Sequence, residues 1–162
     1  MLAIDRYAWT NRWRSVHPAE KVLFAGGLMA VNVAFAPLAV APPVFLLAWA
    51  ATVGGARVPG RAFWLVLALP AGFLLAGAPV LALSLTVEGG TPVLAWSPDG
   101  LRLAAEVSAR SLAAVSCLAF LILTTPVPDL LWLAQRLGLP APLLELAYLM
   151  HRLVFVVLER AL

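Results

Sequence analysis

The chain has 162 residues, of which 63% are hydrophobic and 12% charged, with a formal net charge of +3 and a mean hydropathy of +0.96. Soluble domains carry about 25% charge, so the composition excludes a soluble globular protein and describes one integral membrane domain. The single cysteine, Cys117, excludes an internal disulfide and a cysteine-cluster metal site. It lies in an apolar run and reads as a small core residue. The basic residues stand beside membrane segments, where sidedness accounts for them, so the charge is no argument for a nucleic-acid partner.

The first apolar run of helix length begins at Val22, behind Arg6, Arg12, Arg14 and Lys21. Apolar sequence continues straight through its small-residue stretches, so no cleaved leader is expected. Residues 22–53 are apolar throughout, interrupted by Pro37, Pro42 and Pro43. A span takes about 20 residues, so this run predicts two short helices turning near Pro37 to Pro43. Residues 62–87 predict a third span, kinked at Pro70 and Pro79. Residues 89–100 read as a polar loop and 103–124 as a fourth span. The expected fold is an all-α integral membrane protein with about four transmembrane helices in residues 1–125, followed by amphipathic helices in 126–162.

With four spans, Arg12, Arg14, Lys21, Arg57, Arg61, Arg136, Arg152 and Arg160 all fall on one side, while Glu88 and Asp99 fall on the other, with only Arg102 at the far edge of their loop. The basic side is then cytoplasmic, and both termini with it. Glu106 and Arg110 are four apart at the head of the fourth span, and so share a helix face. A lone charge at mid-bilayer costs from about 2.5 kcal/mol upward. The two are expected to pair, either as a structural pair near the outer interface or as a polar contact facing the bundle or a partner.

Beyond Thr124-Thr125-Pro126 the design changes. Thr125 is placed to cap a helix whose first turn holds Pro126 and Pro128, with Asp129 near its positive end. Leu130, Leu133, Ala134 and Leu137 form one apolar stripe, with Asp129, Gln135 and Arg136 off it, and Gly138 and Pro140 end the helix. About a dozen residues are too few to span and suit an interfacial position. Pro142 opens a further helix in which Glu145, Arg152 and Glu159 repeat at heptad spacing along one polar line. His151 and Arg152 make a fifth span costly, so this helix is expected to lie along the membrane and offer a face to a partner.

No catalytic constellation is present in the sequence. His17 and His151 are isolated, no His/Glu zinc motif occurs, and there is no Gly-Lys-Ser/Thr phosphate loop. No catalytic, cofactor-binding or metal-ligating residue is therefore assigned, and any nucleotide chemistry belongs to another subunit.

Asp5, Arg12-Trp13-Arg14 and Pro18-x-Glu20-Lys21 resemble the amino-terminal signature of the transmembrane (T) component of energy-coupling factor transporters, in its cobalt-type CbiQ branch. The resemblance extends through Arg110-Ser111-Leu112-Ala113-Ala114, Phe120-Leu121-x-Leu123-Thr124-Thr125-Pro126, Asp129-Leu130-Leu131, Leu137-Gly138-Leu139-Pro140, Glu145-Leu146, Arg152, Phe155 and Glu159. It implies a non-enzymatic scaffold subunit of an importer in the bacterial cytoplasmic membrane. Its partners would be two ATPase subunits and a metal-binding membrane subunit that holds cobalt or nickel. Residues 126–162 would begin the cytoplasmic coupling-helix region, with Asp129, Arg136, Glu145, Arg152 and Glu159 as partner contacts or internal braces. The paired Ala-Arg-Ser or Ala-Arg-Gly motifs of such proteins lie downstream of the position matching Arg152, and the sequence stops before them, as a piece of a longer protein or a natural truncation would. Ala109-Arg110-Ser111 matches them in letters only, because it heads a span. A stand-alone permease or channel is the alternative, but the polar residues available within the spans are few. A membrane enzyme lacks any paired acid, base or metal site.

Overall fold

The structure is a computed structural model, and it describes residues 3–88, 91–96, 98–140, 142–150 and 153. A short amphipathic helix α1 (Ala3–Thr10) leads into a 3-10 turn (Arg12–Ser15). Helix α2 (Pro18–Ala34) and helix α3 (Pro37–Ala50, continued by a π turn over Ala51–Gly55) follow. Then come α4 (Gly60–Ala82), strands β1 (Leu83–Glu88) and β2 (Thr91–Trp96), α5 (Pro98–Thr124) and α6 (Val127–Arg136). Residues 142–150 are helical again.

The long apolar run does break into two helices, but at Phe35 and Ala36 rather than among the later prolines. Both break residues are extended (ψ 172° and 123°), and Pro37 takes the first turn of α3, where no amide donor is needed. Pro42 and Pro43 lie inside α3. Helix α4 stops at Ala82, short of the third span expected to reach residue 87, and the end of that span together with the first part of the expected polar loop forms an antiparallel hairpin with Leu83 opposite Trp96 and Glu88 opposite Thr91. Leu83, Leu85 and Val87 alternate with Ser84 and Thr86, the period of a strand rather than a helix. Apart from this hairpin, the described elements are helical.

Pro37–Gly55, Gly60–Leu81 and Pro98–Thr124 are long and apolar enough to cross a membrane, judged by length and composition. Helix α2 has 17 residues, at the short end of what reaches across. Helix α5 is the axis of the bundle and packs against α1, α2, α3 and α4. One core cluster, holding Phe63, Leu67, Ala119 and Leu123, joins α4 to α5; a second, holding Ala41, Val44, Ala48, Ala113 and Cys117, joins α3 to α5. The alanines let backbones approach closely, as interfaces between membrane helices require. The opposite face of α4 is bare and apolar, with Leu69 at 83% and Phe73 at 77% exposure. That is the surface lipid would cover.

Candidate functional site: the junction of α5 and α6

The prolines of the Thr-Thr-Pro stretch determine what happens at the end of α5. In a helix, the Thr124 carbonyl would accept from the amide of residue 128, but residue 128 is proline and has none. The carbonyl is instead taken by two side chains from the amino-terminal segment. Asn11 Nδ2 donates to it at 3.2 Å and Lys21 Nζ at 3.0 Å. Asn11 also donates to the carbonyls of Ala8, at 2.7 Å, and Tyr7, at 3.1 Å, which anchors it to the end of α1. Lys21 is only 2% exposed. An ammonium so placed needs acceptors, and the carboxyl end of a helix supplies negative potential as well as a free oxygen.

Thr124, Thr125 and Pro126 are all buried. Pro126, not Thr125, stands at the N-cap of α6, and no side chain caps it. The Thr125 hydroxyl and Asn11 Oδ1 are buried with no partner among the described atoms.

Outside this buried joint, α6 is held by its edge. Arg14 forms an ion pair and hydrogen bond with Asp129 in the first turn, both side chains partly exposed. The Arg14 guanidinium also lies 4.4 Å from the Trp9 ring centroid. The His17 imidazole meets the Trp132 indole edge-on at 5.6 Å, and Arg136 stacks over the same indole at 4.3 Å. His17 also caps α2, its Nδ1 accepting from the Ala19 amide at 3.2 Å. No residue of α6 is fully buried, and Leu137, at the end of the expected stripe, is 77% exposed. Gly138, at φ 92°, turns the chain after the helix. Between α6 and residues 142–150 runs a groove of about 520 Å³, lined by Pro128, Leu131, Trp132, Gln135, Leu144, Glu145, Tyr148 and Leu149.

The third loop closes the same end of the molecule. The Arg12 amide donates to the Ala56 carbonyl at 3.1 Å. Trp13 lies so close over Gly55 that a Cβ there would collide with its ring. The same indole meets Phe120 edge-on at 5.9 Å. The loops carrying Arg12, Arg14 and Arg57 thus meet at the end where α5 passes into α6.

At the far end of the bundle the expected pair is not formed. Glu106 accepts from Arg102 Nε at 2.9 Å, one turn back, while Arg110 Nη2 donates to the Phe35 carbonyl at 3.1 Å. Phe35 terminates α2, so Arg110 meets the negative end of that helix, while its Nε is buried with no partner among the described atoms. Asn32 reciprocates, donating to the Arg110 carbonyl at 3.0 Å. Helices α2 and α5 are therefore antiparallel, and each uses a cation to cap the carboxyl end of the other. Roughly 21 Å separates the two caps along either helix.

The residues expected to mediate coupling have different placements. Asp129 is engaged internally by Arg14, Arg136 is on the surface over Trp132, and Glu145 is exposed beside the groove. Arg152 and Glu159, and His151 with them, lie outside the described residues. Asn11, Arg14 and Lys21 form a structural set that neither the sidedness of the two basic residues nor their place in the amino-terminal signature announces. The signal was present in the spacing of Pro126 and Pro128, which strips helix carbonyls of their donors. Among the described residues no three of His, Cys, Asp and Glu gather as metal ligands.

Residues 10–162 match the family described as CbiQ, cobalt transport protein. The chain is 41% identical to the cobalt transport protein CbiQ of Rhodobacter capsulatus over 98% of its own length and 64% of that protein's. It is 27% identical to the CbiQ of Salmonella typhimurium over 99% of its own length and 75% of the relative's. It is also 32% identical, over 66% of its length, to 19% of a fused cobalt transport protein, CbiMQ, of Methanocorpusculum labreanum. It therefore spans less than two thirds of the Rhodobacter protein that it matches. The match takes in both halves of the joint described above, and the chain belongs to the CbiQ family of cobalt transport proteins.

Proposed function

We propose that this chain is the transmembrane scaffold of an ATP-driven importer for cobalt or nickel ions, passing motion from ATPase subunits to the membrane subunit that holds the ion. The observation that carries this reading is the joint itself. A bundle axis, α5, ends at a buried, side-chain-capped break, and an amphipathic helix with no fully buried residue leaves from it. Such an element is built to be pushed. Family membership supports the cargo, and the relative in which a CbiQ-like part is fused to further sequence supports a membrane partner. The basic end, with Arg14, Lys21, Arg57 and Arg136, is the cytoplasmic one on this reading. The apolar groove beside α6, with Glu145 on its rim, is where a partner helix would dock.

Gentle-detergent purification from native membranes tests this directly. An ATPase and a small metal-binding membrane subunit should co-purify, and the assembled complex in liposomes should take up cobalt only with ATP. ATP-independent cobalt flux through the purified chain alone would instead establish a stand-alone permease.

A further inference from the structure

The contacts at the α5–α6 junction fall into two kinds. The joint, residues 124–126, is buried and held by Lys21 and Asn11 on a carbonyl whose helical donor position is taken by Pro128. The helix beyond it has no fully buried residue and is held by an ion pair between partly exposed side chains and by an edge-on ring contact. Firm attachment at one point and light attachment along the rest are the requirements of a lever. We propose that α6 turns about the joint as a lever, that Lys21 and Asn11 pin the pivot, and that Arg14 on Asp129 is the catch holding α6 in the position seen here. Arg14 and Lys21 are positioning residues for coupling, and neither is required to touch ion or nucleotide. This rests on the scaffold reading above and adds the residues that control the movement.

The catch draws its specificity from geometry. Asp129 sits in the first turn of α6, next to the pivot, so a small displacement there is magnified at Arg136 and Gly138. Arg14 is itself steadied by the Trp9 ring, which lets the guanidinium wait in place when Asp129 leaves. Pro128 keeps α6 from fusing with α5, because an amide at that position would offer the Thr124 carbonyl its helical partner and close the joint.

The test uses the protein in lipid nanodiscs together with whatever subunits co-purify. Spin labels go on the exposed positions Arg61 and Gln135, each changed to Cys; Cys117, at 1% exposure, stays unlabelled. The unaltered pair should give one narrow distance distribution. Arg14→Gln should add a second population, and the exchanged pair Arg14→Asp with Asp129→Arg should restore a single one. Pro128→Ala should narrow the distribution and shift it. In uptake assays Arg14→Gln should raise the ATP hydrolysed per ion several-fold, whereas general damage would lower hydrolysis and uptake together. A single unchanged distance in Arg14→Gln, or no recovery on exchange, overturns the lever and catch. Because the distances are read without ATP or cobalt, that failure would leave the scaffold reading to stand or fall on co-purification. The Arg14 variants decide the matter without disturbing the buried pivot, since their site is partly exposed.

Discussion

Lys21, near the start of α2, and Thr124, the last residue of α5, are joined by a 3.0 Å hydrogen bond from ammonium to carbonyl. The chain leaves the helix at Pro126, which is extended, and Pro128 has no amide to offer this carbonyl. Replacing Lys21 with Met leaves the carbonyl to Asn11 alone. The expected loss is about 1–3 kcal/mol, the range for hydrogen bonds to a charged group and for a buried acceptor left short. Denaturation in detergent, followed by circular dichroism, measures it, and Lys21→Arg should fall between the two. A Lys21→Met protein as stable as the parent would mean that the carbonyl is satisfied by water.

Gly55 and Gly54 are neighbours with opposite expectations. A methyl group on Gly55 would enter the Trp13 indole, whereas one on Gly54 meets nothing within 4 Å. Gly55→Ala should destabilise by about 1–3 kcal/mol through overpacking, and Gly54→Ala should be close to neutral. Trp13→Phe should recover part of the Gly55→Ala loss, because the smaller ring makes room. Equal effects of the two glycine changes in thermal unfolding would contradict the close approach.

The two ends of the Glu106 and Arg110 question separate cleanly by mutation. Glu106 pairs with an Arg102 whose side chain is 75% exposed, so Glu106→Gln should change stability by less than about 1 kcal/mol. Arg110→Met removes the cation at the end of α2 and leaves the Phe35 carbonyl without it, at an expected cost of about 1–3 kcal/mol. Were the two substitutions equally costly, and non-additive when combined, the residues would be partners after all.

Arg136 stacks on an indole that is 40% exposed. Arg136→Ala should reduce stability by only about 0.5–1 kcal/mol, as an exposed cation–π pair would. If the proposed scaffold role holds, its effect on assembly should be larger, with less ATPase recovered per unit of this chain in pull-downs. Unchanged recovery would confine Arg136 to bracing Trp132.

Cys117 lies between α3 and α5 at 1% exposure. A membrane-permeant maleimide should leave it unmodified in the folded protein and react after denaturation. This makes its labelling a direct measure of bundle opening in every variant above.

Much of this was legible in the residues. Low charge and long apolar runs require a bilayer, because nothing else would accept that surface. Prolines at helix starts, Gly138 after α6 and the basic bias of alternate loops follow from local backbone chemistry and from charge. These signals gave the class, most of the helices, the change of design after Pro126 and the family. The hairpin after α4 was misread because composition alone cannot tell a short apolar strand from the end of a span, although its alternation was there to see.

Partnership was a different matter. Glu106 and Arg110 have ideal spacing for an ion pair on one helix, and yet each chose another neighbour. Arg102 reached Glu106 from the opposite direction, and the end of α2 offered Arg110 the free carbonyl of Phe35. Sequence spacing determines which groups could meet along one helix; it says nothing of which helix end lies across the bundle. Asn11, Arg14 and Lys21 are separated from residues 124–129 by most of the chain, and only the antiparallel packing of α2 on α5 brings them together. The chain by itself determined that a carbonyl at the end of α5 would lack its donor, since proline has no amide to give. Tertiary structure alone decided what took that donor's place, because long-range contacts depend on how faces pack and not on the order of residues.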